Sequence, residues 1–344
     1  MNDTSSTVDE VTARQRPLRL GTRRSKLAMA QSGQVAETVR QLTGRPVELV
    51  EITTYGDVSR ESLAQIGGTG VFVSALRDAL VAGEIDLAVH SLKDLPTTQP
   101  DDLVLAAIPV REDPRDVLIA RDGLTFGTLP AGARIGTGSP RRMAQLNALA
   151  RAQGREIETV PIRGNIDTRI AFVTDGELDA VVLAAAGLAR IGRTAEITEY
   201  LEPDAVLPAP GQGALAIECA MTNAPLAATL AELDDPYTRV AVTAERSLLA
   251  ALEAGCSAPV GALADLSPSS RLRSSRGGPN ADEQVVTEMR LRGVVGSTDG
   301  KTLVQLSTTG PVPTSSEEAV ALGRELAAAM LDKGAAGLMG ERAL

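Results

Sequence analysis

The 344-residue chain has no tryptophan and only three tyrosines and three phenylalanines, so it offers no aromatic platform on which nucleic-acid bases could stack. Its formal charge of −10 likewise argues against a nucleic-acid partner. Cys219 and Cys256 are too few for a disulfide framework, and with His90 as the one histidine no Cys/His spacing resembles a metal site and neither zinc nor a Ser-His-Asp triad is expected. No metal is expected. The longest apolar run, AVVLAAAGLA from residue 180, is too short to span a bilayer, and the opening MNDTSSTVDEVTARQR lacks an apolar signal core. These absences predict a cytoplasmic protein without a membrane partner. Lysine is scarce as well, four residues among 34 basic ones, so most positive charge is guanidinium, the group suited to bidentate binding of carboxylate or phosphate.

What is present is arginine in small-residue loops: Arg23 and Arg24 in GTRRS, Arg141 and Arg142 in GTGSPRR, Arg163 and Arg169 in RGNIDTR. In GSPRR, Ser139 reads as an N-cap, Pro140 as the first helical residue, and Met143 to Ala152 as the helix body. Both arginines then fall in the first turn, where the helix end already carries partial positive charge. Cations there call for an anion on top of them. Three such loops point to a small anionic ligand rather than to solvated surface.

At about 150 residues per domain, the length allows two or three domains. Residues 1–16 read as a disordered tail. Strands and helices then alternate: LRLGT, a helix from about Ser25 to Leu42 closed by Gly44, VELVEITT, a helix from about Val71 to Ala82, and IDLAVH. A second run repeats this with DVLIA, RIGT, the SPRR helix, IETVPI, a helix after Asn165, and LDAVVLA. Two like α/β units suggest a two-lobed binding protein with a cleft between its lobes. The last hundred residues differ: a helix from Pro236 to Leu252, a hairpin with its turn at Asp299-Gly300, and a helix from the capping box Ser315–Glu318 to Leu331. This pattern is a smaller α+β domain, and the Gly- and Ser-rich stretch 267–283 reads as a flexible loop.

HSLKDLP, residues 90–96, follows a strand, where open α/β sheets present ligand-binding groups. Lys93 and Asp94 are its candidates: a carboxylate facing an arginine-lined cleft can hold a substrate cation or accept an N–H bond. A solvated loop ion pair competes with that reading, and His90 is assigned a structural role. Cys256 follows a helix C-terminus, whose dipole disfavours a thiolate. It fits either an inert thiol or, among Gly, Ser and Pro in an exposed turn, a point of covalent attachment. GTGVFVSAL, from residue 68, lacks the lysine of a phosphate loop. LPAPGQGALAIEC, residues 207–219, reads as a Gly/Pro crossing that feeds a strand.

Taken in order, RRSKLA, HSLKDLP, EDPRDVL, GTGSPRR, RGNIDTR, LPAPGQGALAIEC and GCSAPVG resemble the porphobilinogen deaminase (hydroxymethylbilane synthase) family from about residue 17 onward. The resemblance implies two lobes built like a periplasmic binding protein, 17–110 with 214–232 and 115–207, and a third domain, 233–344. It implies a monomeric transferase of porphyrin and heme biosynthesis that condenses four porphobilinogen molecules head to tail, releasing ammonia, into a linear tetrapyrrole. The primer would be a dipyrromethane held by a thioether to Cys256. Asp94 would be the catalytic carboxylate, holding pyrrole N–H groups and the cation left when ammonia departs. Lys93, Ser139, Arg141, Arg142, Arg163, Asn165 and Arg190 match cofactor-binding positions, and Arg23, Ser25, Thr168, Arg169 and again Arg190 match substrate-binding ones.

One departure stands out. Where many members carry a lysine in the Gly-rich segment, this chain has GGTGVFVSA, with Thr69 and Ser74 nearby, so no catalytic lysine is assigned there. Gly56, Gly67, Gly68 and Gly70 suit that segment to a mobile lid. Two competing classes are a non-enzymatic two-lobed anion-binding protein, which gives Cys256 no role, and a thiol acyltransferase, which would need a base beside Cys256.

Overall fold

The computed structural model describes residues 16–53, 70–255, 258–268 and 286–339. Cys256, the lid glycines Gly56, Gly67 and Gly68, Thr69, residues 1–15 of the expected tail and 269–283 of the expected loop lie outside the described residues. The chain divides into two compact units, one reaching Val110 and including Leu215–Asp235, the other Arg111–Ala214 with Pro236 onward.

The first unit is built on a five-stranded sheet of β1 (Leu18–Thr22), β2 (Val47–Glu51), β3 (Leu87–Ser91), β4 (Leu103–Ala107) and, after a long excursion of the chain, β10 (Leu215–Ala220), in the order β2-β1-β3-β10-β4. β1 runs parallel to β2 and β3, while β10 runs antiparallel to β3 and β4. Alternate residues serve opposite faces: Leu18, Leu20, Leu87 and Val89 pack with Val35 and Val39 of helix α1 (Lys26–Thr43), whereas Ala88 packs with Leu76 and Leu80 of α2 (Gly70–Val81). Each buried leucine contributes about 2 kcal/mol. Arg16 is part of the fold rather than of a tail, since its guanidinium pairs with buried Asp86 at 2.7 Å.

The second unit repeats the arrangement with β5 (Asp116–Ala120), β6 (Ala133–Gly136), β7 (Ile157–Val160), β8 (Ala180–Ala184) and β9 (Glu199–Leu201), in the order β7-β6-β8-β5-β9. Again the first two neighbour pairs are parallel and the last two antiparallel. The antiparallel strand differs in origin, because β5 opens its unit while β10 closes the other. Helices α3 (Pro140–Ala152) and α4 (Ile166–Thr174) cover opposite faces: Leu118, Val182 and Leu146 share one cluster, and Val117, Val181 and Ile170 the other. The short helix α5 (Ala185–Arg190) follows β8 directly.

The same unit holds a three-stranded antiparallel sheet, β11 (Val260–Pro268), β12 (Val286–Gly296) and β13 (Leu303–Pro311). Helices α7 (Pro236–Ala251) and α8 (Ser316–Asp332) pack on it through Leu248, Met289, Leu291, Ala327 and Met330; α6 (Ala224–Leu230) belongs to the first unit. The expected hairpin is therefore two of three strands, and Ser267 and Pro268, placed in the loop from sequence, end β11. In the last helix Ser315 accepts from Glu318 N, but the Glu318 carboxylate turns to Thr314 N and Oγ1 (2.7 and 3.0 Å) instead of Ser315 N.

The segment from Leu207 to Gly213 is tied down along its length. Gln145 exchanges two hydrogen bonds with the backbone of Leu207 (2.7 and 2.9 Å), and Gly211 N donates to buried Glu245 (2.7 Å). Glu245 also holds Arg111 through both carboxylate oxygens (2.6 and 3.0 Å) and accepts from Ala264 N (2.9 Å). Gly213 takes φ +88°, and a Cβ there would run into the carbonyl of Glu112. Gly213→Ala should therefore lower stability by about 2 kcal/mol or more, read as a reduced urea midpoint at unchanged slope.

Candidate active site

In each unit the candidate residues lie in segments that follow the parallel strands, and the local reason is helix capping. Ser25, after β1, accepts from Ala28 N (3.2 Å); Ser139, after β6, accepts from Arg142 N (3.5 Å); Asn165, after β7, accepts from Thr168 N (2.9 Å). Each hydroxyl or amide satisfies a backbone donor that the helix leaves open, so the helix starts at the strand's carboxyl end with its positive pole beside the loop. Gly138 lets two of these loops approach, since a Cβ would sit 2.6 Å from the Ile162 carbonyl.

In the first unit, Asp94 closes a single 3-10 turn, Leu92–Asp94, directly after β3. Leu92 and Leu95 are buried on either side of it, which pins the turn and leaves Lys93 and Asp94 half-buried. Gln31 of α1 reaches across to donate to Ser91 Oγ (2.9 Å), and its neighbour Ser32 donates to Thr22 Oγ1 (2.8 Å), the residue before Arg23. One helix turn thus holds the ends of both β1 and β3. Arg23 and Ser25 are half-buried in the loop above. His90 is buried with Nε2 3.2 Å from Glu218, whose carboxylate also binds Arg77 (2.8 and 3.0 Å). Burial alone would raise the Glu218 pKa, but His90 and Arg77 together hold it down at about 2. This cluster ties β3 and β10 to α2 and leaves His90 the structural role expected of it.

In the second unit, the anion that Arg141 and Arg142 demanded is internal. Asp116, fully buried at the start of β5, takes Arg141 Nη1 on Oδ2 and Arg142 Nη2 on Oδ1, each at 2.7 Å. Burial works against this carboxylate, yet the two guanidiniums drive its pKa far below the usual carboxylate range. Arg141 also donates to Leu207 O (2.6 Å) and Arg142 to Val182 O (2.9 Å). Arg190, at the end of α5, donates to Gly213 O (2.6 Å), and burial pushes its pKa down. Arg163, Asn165 and Thr168 are exposed, and half-buried Arg169 donates through Nε to Gly164 O (2.8 Å). Sequence reasoning passed over Asp116, Gln145, Gln212, Gln31 and Ser91. Asp116 lies inside the EDPRDVL motif, and alternation in DVLIA was its one visible signal.

Two like-built mixed sheets, with guanidiniums, capping groups and one carboxylate in the segments after their parallel strands, define an α/β protein of two-lobed build. Among the described residues no helix is long and apolar enough to cross a membrane. The chain belongs to the porphobilinogen deaminase family. The model of that family's dipyrromethane cofactor binding domain matches residues 18–228, and the model of its C-terminal domain matches residues 239–332. Porphobilinogen deaminase 1 of Streptomyces avermitilis is 76% identical over 330 residues, 94% of this chain and 98% of that one. Porphobilinogen deaminase of Thermobifida fusca is 54% identical over 324 residues, 93% and 94% of the two chains. Among solved structures, the periplasmic VFT2 domain of Bordetella pertussis BvgS covers 67% of this chain and 91% of its own, at 16% identity and a TM-score of 0.38.

A dipyrromethane bears acetate and propionate groups and so asks for guanidinium and N–H donors. The donor set is compatible with it: the Nε–H groups of Arg142 and Arg190 are buried with no hydrogen-bond acceptor among the described residues, a state they share with those of Arg155 and Arg292. Buried donors of this kind are costly unless an acceptor arrives.

Proposed function

We propose that this chain condenses porphobilinogen head to tail into the linear tetrapyrrole hydroxymethylbilane, releasing one ammonia per unit, as a cytoplasmic monomer acting without nucleic acid. The observation that carries the reading is the match of residues 18–228 to the family's dipyrromethane cofactor binding domain, and the buried Nε–H donors of Arg142 and Arg190 are compatible with it. When bound through Cys256, the dipyrromethane supplies the pyrrole end onto which the first substrate is joined. Arg142, Arg190, Arg163 and Asn165 hold its carboxylates, with Ser139 and Lys93 alongside and Arg141 completing the charge. Arg23, Ser25, Thr168 and Arg169 bind the carboxylates of incoming porphobilinogen, and Arg190 serves both. Asp94 accepts the pyrrole N–H at its carboxylate. As the C–N bond breaks and ammonia leaves, that negative charge stabilises the cation left on the methylene carbon. After the new C–C bond forms, Asp94 helps carry away the displaced ring proton.

The reaction is tested by incubating the purified protein with porphobilinogen and counting products. Four ammonia molecules should appear per tetrapyrrole; binding without ammonia release would favour the non-enzymatic anion-binding reading.

The two kinds of arginine should respond differently. Arg163→Leu, at an exposed position, should raise KM or stall elongation by about 10- to 100-fold, the worth of a charge-assisted hydrogen bond, with thermal stability unchanged. Arg141→Leu strips one partner from a fully buried carboxylate and should cost about 3 to 5 kcal/mol of stability. Thermal melts beside steady-state kinetics separate these outcomes, and equal melting losses in both variants would contradict the division.

A further inference from the structure

The Gly/Pro segment that precedes β10 carries a side chain that the reaction does not yet account for. Gln212 is 1% exposed, and its amide nitrogen donates both to Asp116 Oδ1 (2.8 Å) and to Pro114 O (2.7 Å). We propose that Gln212 is a positioning residue: by fixing the plane of the Asp116 carboxylate, it sets the direction in which Arg141 and Arg142 present their remaining donors. This rests on the assignment of those two arginines to pyrrole carboxylates.

The terminal torsion of an aspartate is broad, so two guanidiniums alone can follow the group as it turns. Gln212 supplies a third donor that is itself anchored. Its backbone N–H bonds to Ala209 O (2.9 Å), and its carbonyl accepts from Arg111 Nε (2.7 Å), the arginine that Glu245 grips with both oxygens. The amide is therefore a fixed point, and Oδ1, which takes both Gln212 and Arg142, cannot rotate without breaking the Gln212 bond.

Charge makes the orientation matter. Two guanidiniums share one carboxylate, and Asp116, Arg141 and Arg142 are 0%, 3% and 6% exposed, so one positive charge is left over in a buried place. Such a charge favours an incoming anion strongly, and the direction of the unused N–H groups decides where that anion can sit. Gln145 provides the contrast. It is equally buried and bonds the Leu207 backbone and the Arg141 carbonyl (3.4 Å), but makes no bond to Asp116 or to the Arg142 side chain.

The experiment compares Gln212→Leu with Gln145→Leu in holoenzyme labelled with 15N-arginine. The Nε–H resonance of Arg142 should shift or broaden in Gln212→Leu and stay in place in Gln145→Leu, although both lose a buried amide and melt lower. The share of purified chains that carry two pyrrole units by intact mass should fall about threefold in Gln212→Leu and stay at the wild-type level in Gln145→Leu. An Arg142 resonance unmoved in Gln212→Leu overturns the positioning role. A moved resonance with unchanged pyrrole content by intact mass leaves the positioning standing and removes Arg141 and Arg142 from the cofactor's carboxylates. If Gln212→Leu does not fold, Gln212→Asn, one methylene short of the carboxylate, takes its place with the same readings.

Discussion

Asp94→Asn should lose turnover by about 10³-fold or more, equivalent to about 4 kcal/mol of transition-state stabilisation, while folding as well as the wild type. The substitution keeps shape and one hydrogen-bond acceptor but removes the charge that faces the departing ammonia. Stability should survive because Asp94 is half-buried on a turn held by its neighbours Leu92 and Leu95, not by its own side chain. Circular dichroism and thermal melting on the sample used for single-turnover assays would check both halves. Porphobilinogen should still bind the Asn variant, while covalent adduct formation and ammonia release, which occur one for one, slow together. Product formation within a few-fold of wild type would mean that another residue carries the chemistry.

Cys256→Ser should abolish the covalent adduct and, with it, sustained turnover. Intact-mass spectrometry of protein from cells that make porphobilinogen should show two extra pyrrole units in the wild type and none in the variant. Cys219→Ser is the matched control, because Cys219 is fully buried in β10 and burial beside Glu218 pushes its thiol up to about 11, which leaves almost no thiolate at neutral pH. Its adduct should be intact. Retention of the two-pyrrole mass in Cys256→Ser would place the attachment elsewhere.

Much of the candidate site could be read from sequence because capping is local. Ser25, Ser139 and Asn165 each bond a donor three residues ahead, so a short window contains both partners. The helix at Pro140 began where Ser139-Pro140 placed it. The partner of Arg141 and Arg142 was out of reach for the opposite reason: Asp116 is 25 and 26 residues away, brought near by the pairing of β5 with β8. The helix dipole at Arg141 and Arg142 calls for an anion, and a ligand and the protein's own carboxylate satisfy that call equally. The strands β4 and β11 escaped as well. LVLAA has no alternation because both faces of its sheet are covered, and GALADL is small-residue sequence whose strand character comes from pairing with β12.

The matching strand orders of the two sheets bear on how the chain is made. When a ribosome has released the chain as far as Leu201, every strand of the β7-β6-β8-β5-β9 sheet is available, and that sheet can close. The earlier-synthesised sheet cannot, because the position between β3 and β4 waits for Leu215–Ala220. During that interval β3, with its almost wholly buried run LAVH, has an unpaired edge open to wrong partners. Of the two five-stranded sheets, the one that is begun first is thus the later to finish, inverting the usual order of vectorial folding for that pair. A nascent chain stalled before β10 should be the species that chaperones must shield.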